Sequence, residues 1–256
     1  MSSNAYPLQG LSIALTRPEE QAETSYSTLQ ALGAQVYSLP TIRIRYLSTQ
    51  SVEDMDWLEA SHTSLSLALV SSSSARALHH HLSTSYTNTQ IPAWNHIYIL
   101  GNKTLKSLKS LNFESKSRFI ATPQNDDGLA ELIRTHHKKS ELLVAPRGTL
   151  ARLEWSTALQ ADGYRIKRPL IYETIDAPLS KQCPPRLDWA LFFSPSAIKA
   201  WKRLYPTIEL GGCAAIGETT AKACVEEGLP LRVTAPEPNE AALHAALIRY
   251  VSHGRR

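Results

Sequence analysis

The chain has 256 residues, 43% hydrophobic and 20% charged, a globular composition that excludes a disordered, collagenous or coiled-coil protein. Its 27 Lys and Arg against 23 Asp and Glu leave a formal charge of +4, small for a nucleic-acid binder but favourable to an anionic small molecule. Three cysteines, Cys183, Cys213 and Cys224, form no CxxC pair, the start of the chain lacks a signal-peptide pattern, and no apolar run approaches the ~20 residues of a membrane span, so a cytoplasmic protein is expected.

Short β-type runs alternate with longer helix-type segments along the chain. Leu11–Leu15 reads as a strand, followed by Thr16-Arg17-Pro18, with Pro18 suited to the first turn of a helix and Glu19 and Glu20 to its positive end. That helix is predicted to reach about Leu32, with Gly33 as its stop, and Ala34–Leu39 is the next strand, closed by Pro40. Leu65–Val70 is an apolar strand ending in Ser71-Ser72-Ser73-Ser74, and Ile97–Leu100 leads into Gly101-Asn102-Lys103-Thr104 and a helix. Leu142–Ala145 leads through Pro146-Arg147-Gly148-Thr149 to another helix, Leu191-Phe192-Phe193 into Ser194-Pro195-Ser196, and Cys213–Ile216 into Gly217-Glu218-Thr219-Thr220. Leu47–Glu53 and Ser83–Gln90 read as exposed loops, and Ile175–Arg186, with three prolines, as a loop or insertion. Strands separated by helices of ordinary length predict parallel sheets built from βαβ units, which bind ligands at the carboxyl ends of their strands.

The features repeat in order. Arg17 and Arg147 stand at the same interval as Gly33 and Gly163, Gly101-x-x-Thr104 parallels Gly217-x-x-Thr220, and Ser74-Ala75 parallels Ser196-Ala197. The expected fold is therefore α/β, with two similar domains of parallel sheet flanked by helices and a cleft between them.

The strand-to-helix turns are the places that could carry chemistry. Ser71, Ser72, Ser194 and Ser196 either cap helices or present free N–H groups to a carboxylate or phosphate. Gly101 and Gly217 allow close approach, leaving Thr104, Thr219 and Thr220 as donors, but neither turn is a GxGxxG or a P-loop, which argues against NAD, FAD and ATP. Arg17 and Arg147 can each fork onto a carboxylate or pair with the helix that follows, Arg17 for instance with Glu20. His79-His80-His81 and His136-His137 are contiguous and match no zinc spacing, so they read as solvated helix ends and no metal is expected.

Leu15-Thr16-Arg17-Pro18, Gly101-Asn102-Lys103-Thr104, Arg147-Gly148, Ile171-Tyr172-Glu173-Thr174, Phe192–Ala197, Ala215–Ala221 and Ala235-Pro236-Glu237-Pro238 together resemble the uroporphyrinogen-III synthase family over almost the whole chain. The resemblance implies interleaved domains, 1–40 with 172–256 and 41–171, joined by a two-strand hinge. It implies cyclisation of hydroxymethylbilane to uroporphyrinogen III, with loss of water, inversion of ring D through a spiro intermediate, and no cofactor. It assigns Tyr172 as the candidate proton donor and Ser71, Ser72, Thr104, Ser194, Ser196, Thr219 and Thr220, with Arg17 and Arg147, as substrate binders. Two departures from the family pattern, Ser72-Ser73 where Ser-Pro is usual and Glu218 where Pro is usual, put the contacts at those turns in doubt. A monomer is expected, without nucleic acid or membrane and with at most transient contact with the preceding pathway enzyme. The competing reading is a non-catalytic two-domain sensor of an anionic metabolite.

Overall fold

The computed structural model describes residues 6–48, 65–85, 93–111, 113–180 and 182–254; most of the two loops expected at Leu47–Glu53 and Ser83–Gln90 lies outside them. In chain order, β1 (Ser12–Leu15), α1 (Glu19–Ala31) and β2 (Gln35–Ser38) are followed by β3 (Ile42–Tyr46). Then come β4 (Leu65–Leu69), α2 (Ser72–Ser85), β5 (Trp94–Ile99), α3 (Asn102–Lys109), β6 (Ser115–Ile120) and α4 (Asp126–His136). After them run β7 (Leu142–Val144), β8 (Arg147–Gly148), α5 (Glu154–Ala161), β9 (Arg165–Lys167) and β10 (Leu170–Asp176). The chain ends with β11 (Arg186–Phe192), α6 (Pro195–Leu204), β12 (Glu209–Ala215), α7 (Glu218–Glu226), β13 (Leu231–Thr234) and α8 (Glu240–Gly254).

The chain divides into two compact units, residues 1–43 with 175–256 and residues 44–174. In the 44–174 unit a five-stranded sheet runs β6-β5-β4-β7-β9, every neighbouring pair parallel. The other unit has the order β13-β12-β11-β1-β2, again all parallel. The two orders are the same once β4, β5, β6, β7 and β9 are matched to β11, β12, β13, β1 and β2. Each sheet therefore reverses its winding at one place, between β4 and β7 in one unit and between β11 and β1 in the other. The crevice outside the carboxyl ends at such a reversal is where open α/β sheets hold ligands.

The central strands are covered on both faces and read accordingly as continuous apolar runs: every residue of Leu65–Leu69 is buried. Ile171 and Tyr172 pack into the core of the 44–174 unit with Leu67, Leu78 and Trp94, and Ile44 and Tyr46 lie against it. The division of the chain consequently falls three residues beyond each boundary expected from sequence. In the other unit the Ala177 N–H donates to the Thr41 carbonyl at 3.0 Å. A third sheet, β3-β10-β8, uses the two strands that carry the chain from unit to unit.

Gly33 and Gly163 end α1 and α5 with φ of +91° and +90°, the left-handed conformation that a side chain resists. Pro18 stands one place earlier than expected, as the residue that caps α1 with φ −51° and ψ 142°. Ile175 and Asp176 belong to β10 and Arg186 opens β11, so the expected proline-rich loop is shorter than its sequence suggested.

Two expectations are corrected outright. Arg147 does not lead directly into a helix, because its N–H donates to the Pro169 carbonyl at 2.9 Å and draws Arg147–Gly148 into β8 beside β10; α5 begins only at Glu154. The histidine runs are not uniformly solvated. His80 and His136 are exposed, but His81 is buried with Nε2 2.9 Å from the Ile171 carbonyl, and His137 is buried near the Glu141 carbonyl. Consecutive helical residues face different sides, so α2 directs His81 onto β10 while His80 meets water.

Candidate functional site

Ser71 ends β4 and begins α2 as its cap: its Oγ accepts the Ser74 N–H at 3.0 Å while Ser74 Oγ donates to the Ser71 carbonyl at 2.8 Å. The same Ser71 Oγ lies 3.3 Å from the Tyr172 phenol oxygen. Ser72, the first residue of α2, donates from its hydroxyl to the Lys103 carbonyl at 3.2 Å and so ties the start of α2 to the start of α3. Thr104 follows there, buried, with its N–H donating to Gly101 at 3.1 Å. The Asn102 N–H, left over at that helix end, donates to Gln124 Oε1 at 3.1 Å. The carboxyl ends of β4, β5 and β6 are thus linked by hydrogen bonds, with Tyr172 entering from β10.

Tyr172 is 9% exposed. Its ring packs against Gly148, where an added Cβ would stand 2.3 Å from a ring carbon, so the strand β8 must carry glycine at this point. Burial pushes the phenol above the usual tyrosine pKa, opposed by the Ser71 hydrogen bond and by the Arg76 charge. Arg147, beside it in β8, is half-buried and donates from Nε to the Arg168 carbonyl at 3.2 Å.

In the other unit, Thr16 at the end of β1 donates to the Leu191 carbonyl at 2.7 Å. Arg17 is 4% exposed, with one guanidinium nitrogen paired with Glu240 at the start of α8, another bonded to Gln21 at 3.2 Å, and the group lying 4.6 Å over the Phe193 ring. Its ion-pair partner lies 223 residues away along the chain, whereas the side chain of Glu20, considered from sequence, lies outside those described. Burial pushes the Glu240 carboxyl up, but the Ser25 hydroxyl at 2.6 Å and the Arg17 charge outweigh it and hold the group below the usual glutamate range.

Ser194 caps α6, accepting the Ala197 N–H at 3.2 Å, and its Oγ lies 3.0 Å from that of Ser196. At the start of α7 the cap position is Gly217, which offers no side chain, so Thr219 (exposed) and Thr220 (buried) stand in an uncapped first turn. Glu218 is exposed and lines a shallow surface groove with Lys222, Val225 and Leu231.

The structure thus brings Ser71, Ser72, Thr104 and Tyr172 into one hydrogen-bonded neighbourhood and joins Ser194 to Ser196, whereas Arg17 is committed to Glu240. Sequence reasoning named Ser74 and Gly148 only as parts of motifs, without these contacts, and missed Glu240. The Ser71–Ser74 spacing is a turn signal that could have been read; Gly148 and Glu240 act on residues distant in sequence. A concavity of about 1190 Å³ in the 44–174 unit borders the start of α3 through Leu100 and Gln124 and is lined further by Asn125, Asp127, Arg152 and Trp155. Among the described residues no group of three or more His, Cys, Asp or Glu is placed to hold a metal ion, and no helix is long and apolar enough to cross a membrane.

The family model described as uroporphyrinogen-III synthase HemD matches residues 24–245. Two solved structures are similar throughout. The uroporphyrinogen-III synthetase of Helicobacter pylori superposes with a TM-score of 0.63 at 17% identity, covering 96% of this chain and 100% of that one. A mutant uroporphyrinogen III synthase of Thermus thermophilus gives 0.59 at 15% identity, covering 95% and 100%. A comparison with curated proteins finds no match.

Proposed function

Because the chain belongs to the uroporphyrinogen-III synthase family, it is a cyclising lyase that converts hydroxymethylbilane to uroporphyrinogen III, and we propose that Tyr172 protonates the hydroxyl that leaves. The non-catalytic sensor considered from sequence finds no support in the comparisons.

The chemistry sets two tasks. A hydroxymethylpyrrole loses its hydroxyl readily to give an electrophilic azafulvene, and unaided closure yields the type I isomer. Type III product requires the substituted carbon of ring D to attack first, so holding the chain in that geometry is the larger task. Donating a proton to the departing oxygen is the second, and a positioned general acid contributes about 10²–10⁴-fold.

The observation that carries the assignment is the Tyr172 phenol, buried at the reversal of the 44–174 sheet and hydrogen-bonded to Ser71. Burial raises its pKa, so the phenol keeps its proton at neutral pH and is present in the donating form. Ser72, Thr104, Ser194, Ser196, Thr219 and Thr220 are proposed to hold acetate and propionate groups, since each stands at the start of a helix, where N–H groups and the helix dipole favour anions. Glu218 is exposed and does not oppose this if it stays in solvent. Arg17, buried and paired with Glu240, is reassigned as a structural residue; Arg147, half-buried with its Nε turned to Arg168, is kept as a binder through its remaining donors.

The free thiols Cys183, Cys213 and Cys224 suit the cytosol. A monomer without nucleic acid, touching the preceding pathway enzyme only transiently, remains the working expectation, to be read by light scattering on the two enzymes alone and mixed. The decisive assay generates hydroxymethylbilane in situ, adds the protein, oxidises the product and scores type I against type III porphyrin. A Tyr172→Phe variant as fast as wild type would remove the proton-donor role.

A further inference from the structure

We infer that Ser71 is a positioning residue for Tyr172, its hydroxyl turning from Ser74 to the phenol oxygen as the phenol gives up its proton. The inference rests on Tyr172 being the donor. In that step the phenol O–H bond breaks and a new O–H bond forms on the leaving hydroxyl. The carbon–oxygen bond then breaks, water departs, and the electron pair of the phenol O–H stays on the Tyr172 oxygen. A negative oxygen is thereby created on a side chain only 9% exposed, where water cannot solvate it freely. A hydrogen-bond donor must already be within reach. Among the described residues the group hydrogen-bonded to the phenol oxygen is Ser71 Oγ, at 3.3 Å.

The Ser71 proton has two acceptors within reach, Ser74 Oγ at 3.2 Å and the phenol oxygen at 3.3 Å. The Ser74 proton is committed to the Ser71 carbonyl at 2.8 Å, so the contact between the two serine hydroxyls runs from Ser71 to Ser74. Before the reaction the Ser71 proton therefore rests on Ser74. When the phenol ionises, a turn about the Ser71 Cβ–Oγ bond brings that proton to the new charge, and no heavy atom has to move. The Ser71 oxygen is itself held in place, because it accepts the Ser74 N–H at 3.0 Å as the cap of α2. A hydrogen bond to a charged oxygen is stronger than one to a neutral hydroxyl, so the bond tightens as charge develops and favours the transition state over the ground state. The half-buried Arg76, on the same helix, adds its charge at longer range.

Steady-state kinetics of type III formation from hydroxymethylbilane generated in situ test this with Ser71→Ala, Ser71→Thr, Tyr172→Phe and the double variant Ser71→Ala/Tyr172→Phe. Ser71→Ala is expected to lower kcat about tenfold with KM within about twofold of wild type. Ser71→Thr, which keeps the hydroxyl, is expected to restore kcat to within about threefold. In the Tyr172→Phe background the same alanine is expected to cost less than about twofold, since a residue acting through the phenol has nothing left to act on. If Ser71→Ala fails to fold for want of its cap, Ser71→Gly serves in its place, because glycine is tolerated at a helix start and also lacks the hydroxyl. Independent, multiplicative losses in the double variant would overturn the inference, as would a loss confined to KM, which would make Ser71 a carboxylate binder. Wild-type kcat in Tyr172→Phe would instead overturn the reading of Tyr172 itself, and the inference with it.

Discussion

Gly148 lies against the ring of Tyr172, two residues paired across neighbouring strands β8 and β10. A Gly148→Ala side chain would sit 2.3 Å from a ring carbon, so the ring or the strand must shift. Overpacking of this kind costs about 1–3 kcal/mol, and a moved phenol also loses its place beside Ser71. Gly148→Ala is expected to lower both the urea midpoint and the rate of type III formation. Unchanged kinetics would show that the phenol position is not critical.

Tyr172→Phe removes the proposed acid and leaves the ring. The expected loss in kcat is about 10²-fold or more. Ser196→Ala removes a single anion contact at a helix start, worth about 1 kcal/mol or some fivefold, and is expected to act on KM. The contrast between the two variants separates proton donation from binding.

The Arg17–Glu240 pair predicts a stability effect without a binding effect. Glu240→Ala leaves a guanidinium that is 4% exposed without its counter-charge. Breaking a fully buried pair costs about 3–5 kcal/mol, and the 33% exposure of Glu240 lowers the expectation to about 2. Replacing both groups, as Arg17→Met/Glu240→Leu, is expected to recover most of that loss with KM within about twofold of wild type. A KM raised about tenfold in the double variant would return Arg17 to the list of substrate binders. Urea denaturation and the isomer assay read the two quantities.

Burial holds the pKa of His81, His137 and His244 below the histidine value of 6.5, in each case as the largest cause. The native state thus binds fewer protons than the unfolded state below pH 6.5. Stability is fully present above that pH and is lost as pH falls toward the native values. Each histidine contributes a slope of at most about 1.4 kcal/mol per pH unit. His81→Gln keeps a donor for the Ile171 carbonyl and cannot charge, so its denaturation midpoint is expected to fall less between pH 7.5 and 5.5. An identical pH slope in the variant would mean that His81 does not titrate in this range.

What the sequence made legible was local. The alternation of strand and helix, the glycine stops at Gly33 and Gly163, and the caps at Ser71 and Ser194 all depend on residues a few places apart. The matched order of features in the two halves follows from the same signals and pointed to two similar domains, though not to the strand order that they share. What remained hidden depends on partners far along the chain. Arg147 is drawn into β8 by Pro169, Arg17 finds Glu240 at a separation of 223 residues, and Tyr172 meets Ser71 at 101. His81 could not be told from His80 without knowing which side of α2 faces β10. Tyr172 itself was found through family resemblance, since a lone tyrosine in a strand carries no signal of its own.

The hydrogen bond from Ala177 to Thr41 brings the chain's exit from the 1–43 segment and its return at 175 side by side. The discontinuous unit is in this sense a host whose doorway is a pair of neighbouring strands, β3 leaving and β10 returning. Its sheet is closed by β11 against β1, strands from opposite sides of the insert, and not by anything the guest supplies. The 44–174 segment can accordingly vary in length and loop content without altering the register of the sheet that surrounds its point of entry.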